Sequence, residues 1–125
     1  MERVRIHVSM LQDELQNFVS NSTGVQGAIL ATPDGLALAS VLPPGMNEGR
    51  TAAMSASMLS LSEQIGHELV RGNIDRIFVE GEKGYGVLVS CGDAILLVLA
   101  HASVKQGLLF LEIKRAVARI TSLLG

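Results

Sequence analysis

The sequence predicts an α/β sandwich of element order αββαβββα, with a mostly antiparallel five-stranded sheet and helices on both faces. Three observations carry that expectation. Apolar residues recur at helical spacing in three separate stretches. Between them lie two groups of short apolar runs, a pair and a triplet, joined by Gly- and Asp-containing connections too short for crossovers. Finally, the 125 residues are 48% apolar but only 3% aromatic, with no Trp, so the core is built from Leu, Ile, Val, Ala and Met. That length fits one domain, 1–125, able to support a core unaided.

Val4, Val8, Leu11, Leu15 and Phe18 repeat at spacings of four and three, with Asp13, Glu14, Gln16 and Asn17 on the other side, which predicts a helix over 2–20. Residues 25–32 (VQGAILAT) and 36–41 (LALASV) read as the strands of a hairpin. Pro33-Asp34-Gly35 joins them: Pro presets φ, Asp caps its own backbone and Gly supplies the positive φ. Asp34 is thereby explained as turn chemistry and not as a catalytic acid. The loop 42–48 leads through Asn47, a helix N-cap, into a helix over 49–71 that stops at Gly72. Residues 74–80, 85–91 and 94–100 form a meander, turned at Gly81-Glu82-Lys83-Gly84 and Gly92-Asp93. The last helix spans 103–124, with Leu109, Ile113, Ala116, Val117, Ile120 and Leu124 along one face.

A net charge of −2 gives no basic footprint for nucleic acid and no Lys/Arg-rich stripe for a membrane surface. The N-terminal MERVRIHVSM is charged and periodic, unlike a signal peptide. The longest apolar run, 94–100, falls far below the ~20 residues of a span. The expected location is cytoplasmic. Cys91 is the single cysteine and reads as a small buried hydrophobe. His7, His67 and His101 lie in three elements and there is no CxxC, so no metal site is expected. EGEKGYG leads into a strand, whereas a phosphate loop opens a helix with Lys-Ser/Thr. The serines 55, 57, 60 and 62 lie outside any G-x-S-x-G elbow, and Glu63 and His67 share one helix surface at i, i+4. No catalytic residue and no cofactor is expected, and the chain reads as a non-enzyme.

The helix over 49–71 is the informative element. Met54, Met58, Leu61, Ile65 and Leu69 form a stripe expected to pack on the sheet. A neighbouring stripe, Ala52, Ala56, Leu59, Glu63, Gly66 and Val70, is mostly small or apolar, with Ala53, Ser55, Ser57, Ser60 and Ser62 around it. Between Arg50 and Glu63 the helix carries no charge. A smooth, uncharged face of that kind lets another backbone approach and marks an interface. The strand 74–80 opens the meander and is expected at a sheet edge, where Arg76 and Glu80 either blunt it or pair across a two-fold axis.

With the element order, the stretch GAILATPDGLALAS, the Ala/Ser/Met-rich helix, IDRIFVEGEKGYGVLVSCGDAILLVLA and the closing amphipathic helix, the chain resembles the roadblock / dynein light-chain domain family over nearly its whole length. A profilin-like or longin-type domain is the nearest competing assignment. The resemblance implies a homodimer in which the third strand pairs across a two-fold axis and the second helices lie side by side. It implies a non-catalytic platform for a Ras-like small GTPase, as with bacterial mutual gliding protein B, or a subunit of dynein or Ragulator. Bacterial members can stimulate GTP hydrolysis; no residue here identifies that activity, and a finger-type activator would need a presented Arg, for which Arg50 and Arg71, at the ends of the second helix, are the candidates. On this reading the partner and dimer face comprises Ala52, Ala53, Ser55, Ala56, Leu59, Ser60, Glu63, Gly66 and Val70. The sheet-edge pairing comprises Asp75, Arg76, Ile77, Phe78, Val79 and Glu80. The alternatives are a signalling adaptor or small-ligand-sensing domain not linked to a GTPase, and a hydrolase acting through Ser and His67 of the same helix.

Overall fold

A computed structural model describes the backbone of residues 2–124 and the side chains of residues 8–124. The elements are α1 (Glu2–Asn21), β1 (Val25–Ala31), β2 (Ala37–Val41), α2 (Glu48–Glu68), β3 (Arg76–Gly81), β4 (Gly84–Cys91), β5 (Ala94–His101) and α3 (Gln106–Leu124). The order αββαβββα is the one expected. All pairings in the five-stranded sheet are antiparallel and the strand order is β2-β1-β5-β4-β3. The hairpin and the meander therefore join through β1 and β5, and β2 and β3 are the edges.

Successive strand residues face opposite sides, so the sheet builds two cores. On one side Ala28, Leu30, Val87, Leu96 and Val98 meet Leu11, Leu15 and Phe18 of α1 and Leu109, Ile113 and Ile120 of α3. On the other, Ile29, Ala31, Leu88, Ile95 and Leu97 meet Ala52 of α2. The near-continuous apolar run of β5 is explained by burial on both faces. Arg119 of α3 pairs with Glu14 of α1 across the outer layer.

The Pro33-Asp34-Gly35 connection is a tight turn. The Thr32 N–H donates to the Leu36 carbonyl (2.8 Å) and the Gly35 N–H to the Thr32 carbonyl (2.9 Å), with Gly35 at φ +90°. The capping side chain is Thr32, whose hydroxyl accepts from the Leu36 N–H at 3.1 Å, and not Asp34 as expected. Asn47 does cap α2: its Oδ1 accepts from the Arg50 N–H at 2.8 Å.

Three boundaries differ from expectation by two residues or more, for identifiable reasons. Helix α3 starts at Gln106 rather than 103, because residues 102–105 form a turn bound to the end of β5. There the Ser103 N–H donates to His101 Nδ1 (3.0 Å) and the Val104 N–H to the His101 carbonyl (3.1 Å). Strand β3 starts at Arg76 rather than 74, because Ile74 is turned toward α2: a Cβ on Gly66 would lie 2.6 Å from Ile74 Cδ1. Helix α2 ends at Glu68 rather than 71. The Arg71 N–H returns to the Gly66 carbonyl (2.8 Å) and the Val70 N–H to the His67 carbonyl (3.1 Å). This is a Schellman closure, and its left-handed position, usually glycine, is Val70 at φ +53°.

Candidate interaction surface

The two faces of α2 are reversed relative to expectation. Thr51, Ala52, Ser55 and Gly66 are its buried residues. Ala56, Met58 and Leu59 pack partly against the Ile29, Ala31, Leu88, Ile95 and Leu97 cluster. Met54, Leu61 (58% exposed), Ile65 and Leu69 (58% exposed), expected on the sheet, are instead open to solvent. Of that stripe only Met58 reaches the core.

The reason is distance. A Cβ on Gly35 would come 3.2 Å from the Ala53 Cα, so the hairpin turn lies directly against the α2 backbone. Only small side chains tolerate such closeness. The two buried hydroxyls are satisfied inside the helix: Thr51 Oγ1 donates to the Asn47 carbonyl (2.7 Å) and Ser55 Oγ to the Thr51 carbonyl (2.8 Å). The small-residue face does admit another backbone, but that backbone belongs to the chain's own turn and strands. Ala52, Ser55 and Gly66 are thereby removed from any partner face. Ala53, Ser60, Glu63 and Val70 remain exposed, and Ala56 and Leu59 are half-buried.

The large residues that this geometry pushes outward form an apolar row, Met54, Leu61, Ile65, Leu69 and Val70. It runs along α2 to the loop feeding β3. Within the chain β3 pairs only with β4, so its outer backbone edge is unpaired among the described residues. Along it Asp75, Arg76, Val79 and Glu80 are exposed, and Ile77 and Phe78 are half-buried. The Arg76 side chain does not run along this edge. Its guanidinium carbon sits 4.2 Å from the centre of the Phe110 ring, on the α3 side of the sheet.

A cleft of about 820 Å³ at the C-terminal end of α2 is lined by Glu63 and His67 of the helix and by Ser90 of β4. They form no hydrogen-bonded relay: the histidine hydrogen bonds among the described residues belong to His101. No group of three or more His, Cys, Asp or Glu side chains is arranged to hold a metal among the described residues. No helix among them is long and apolar enough to cross a membrane.

Residues 11–100 match the family model of the Roadblock/LC7 domain. The chain belongs to the Roadblock/LC7 family. One relative is the uncharacterized protein MJ1340 of Methanocaldococcus jannaschii, 30% identical over 105 residues, which is 84% of this chain and 92% of that protein. Among solved structures, Myxococcus xanthus MglB superposes with a TM-score of 0.85 at 18% identity, covering 94% of this chain and 89% of that one. A Roadblock/LC7 domain from Streptomyces avermitilis superposes with a TM-score of 0.83 at 20% identity, covering 90% and 96%. In this Roadblock/LC7 chain the exposed row of α2 leads to the unpaired β3 edge. Sequence periodicity set Met54, Leu61, Ile65 and Leu69 on the sheet, where the structure exposes them, and Ala52, Ser55 and Gly66 outward, where the structure buries them. The signal that would have corrected it is Gly35: a glycine turn beside a helix of Ala and Ser demands close approach.

Proposed function

We propose that this Roadblock/LC7 protein is a homodimeric, non-catalytic regulatory module that binds a Ras-like small GTPase. The observation that carries the reading is the exposed apolar row Met54, Leu61, Ile65, Leu69 and Val70 leading to an unpaired sheet edge. Apolar rows of this size are normally covered, and unpaired edges are either blocked or used. Antiparallel pairing of β3 with its copy across a two-fold axis uses the edge and brings two α2 rows together. The likeness to MglB supports a regulator of this kind, with the GTPase held by the polar, uncharged flank of α2 that includes Ala53 and Ser60.

Two variants separate the parts. Leu61→Arg is expected to give the monomer mass by light scattering at micromolar concentration, with unchanged circular dichroism. A wild-type chain that already gives the monomer mass contradicts the dimer. Ser60→Arg is expected to keep the dimer and to lose binding of a Ras-like GTPase from the same genome, measured in its GTP- and GDP-loaded forms. If the wild-type dimer binds no such GTPase in either form, the regulatory reading fails.

A further inference from the structure

We infer that the groove between α3 and the paired ends of β3 and β4 is a binding site for a small carboxylate with an apolar body. On this side of the sheet α3 does not lie flat on β3. Phe110 stands between them, edge-on to Phe78 at 5.8 Å, and beyond it a groove of about 350 Å³ remains. Small-molecule sites begin near this volume. Val89, Ile113 and Val117 supply its apolar walls, and Arg76 and Lys114 its cations.

The two cations are prepared for an anion. Arg76 and Val89 are direct partners in the β3–β4 register, so the guanidinium is carried at the groove's edge by regular strand geometry. The Phe110 ring 4.2 Å from the guanidinium carbon restricts it further, leaving its N–H groups to meet a planar carboxylate. Neither Arg76 nor Lys114 takes part in an ion pair among the described residues, where the pair found is Arg119 with Glu14. Asp75 shares the groove, so two cations stand against one carboxylate. That balance admits one anionic head and disfavours a polyacidic partner. Arg76 turns to the α3 side, so its guanidinium faces away from the apolar row of α2.

The test is an NMR titration of the ¹⁵N-labelled protein with 3-phenylpropionate, hexanoate and indole-3-acetate, each beside its uncharged amide. At least one carboxylate is expected to give saturable shifts confined to residues 75–76, 89–90 and 110–117, and its amide to bind about tenfold more weakly. Lys114→Gln is expected to weaken the carboxylate by about tenfold and leave the amide unchanged. Arg76→Gln, which also frees the Phe110 ring, should match it. Absence of saturable shifts with all three up to about 5 mM, equal binding of acid and amide, or shifts centred elsewhere overturns the inference.

Discussion

Val70→Gly should make the protein more stable, although it removes a branched apolar side chain. Val70 closes α2 at φ +53°, a region that β-branched residues adopt at a cost of about 1–3 kcal/mol. Its side chain is 82% exposed, so deletion loses only about a fifth of a full valine burial, roughly 0.4 kcal/mol. Glycine adds unfolded-state freedom worth about 0.5–1 kcal/mol. Taking about 2 kcal/mol for the strain, the net gain is close to 1 kcal/mol. For a chain of this length that raises Tm by about 3–5 °C. The assay is urea unfolding with an unchanged m-value, in the Leu61→Arg background so that self-association does not enter. Val70→Ala, which removes the branching but keeps a Cβ, should fall between the two. A loss of about 0.5 kcal/mol or more in that background, with m unchanged, would refute the strain argument. In the otherwise wild-type chain the same variant should weaken self-association, because strain at an exposed apolar residue persists where the residue makes an external contact.

The remaining predictions test the geometry of α2 and the buried thiol. Gly35→Ala should lose about 2 kcal/mol, since the residue has φ +90° and its new Cβ would meet the Ala53 Cα at 3.2 Å; chemical denaturation measures it. Ala52→Leu should destabilise the monomer by about 1–3 kcal/mol through overpacking, whereas Leu61→Ser should stay within about 0.5 kcal/mol. If the two effects are reversed, the face assignment is wrong. Burial raises the Cys91 thiol above its ordinary 9.0, opposed in part by the contact with Thr121. Above pH 9 the unfolded chain then gives up this proton before the native one, so the native state binds more protons and stability falls with rising pH. The fall is expected at no more than about 1.4 kcal/mol per pH unit and disappears in Cys91→Ala; equal pH profiles for the two proteins would remove the thiol from the account.

The element order was legible because period and punctuation agree along the chain. The Leu11, Leu15 and Phe18 part of the α1 stripe, the Pro-Asp-Gly and Gly-Asp turns and the closing helix each need no tertiary knowledge; Val8 of that stripe is exposed, and the Val4 side chain lies outside the described residues. The boundaries that moved are those set by specific caps and close contacts that periodicity does not register. Ile74 left the strand to sit against Gly66, and His101 and Ser103 held back the start of α3. The edge position of β3 was legible from its place at the head of the meander. Arg76 was not, because its partner Phe110 lies 34 residues further along the chain, on α3.

The inversion of α2 follows from how close a helix lies to its sheet. Side-chain size, more than hydrophobicity, decides which face fits a narrow gap. With the Gly35 turn touching Ala53, a Leu at position 52 or 55 has nowhere to go, while Ala and a self-bonded Ser fit. The large apolar residues are then left on the flank. In the monomer Leu61, Ile65 and Leu69 gain little from being apolar, since each holds about half or more of its surface in water. Covering them is worth roughly 1 kcal/mol per side chain, so a symmetric contact that joins two such rows gathers several kcal/mol before any strand pairing is added. Side-chain ordering and lost translational freedom oppose that gain, which is why the row alone is marginal and the β3 edge beside it matters. A proline at Glu80, an exposed residue whose N–H points away from β4, removes one backbone donor from the outer edge and separates the two contributions. If the row is sufficient, Glu80→Pro remains dimeric by light scattering; if row and edge act together, it dissociates at micromolar concentration.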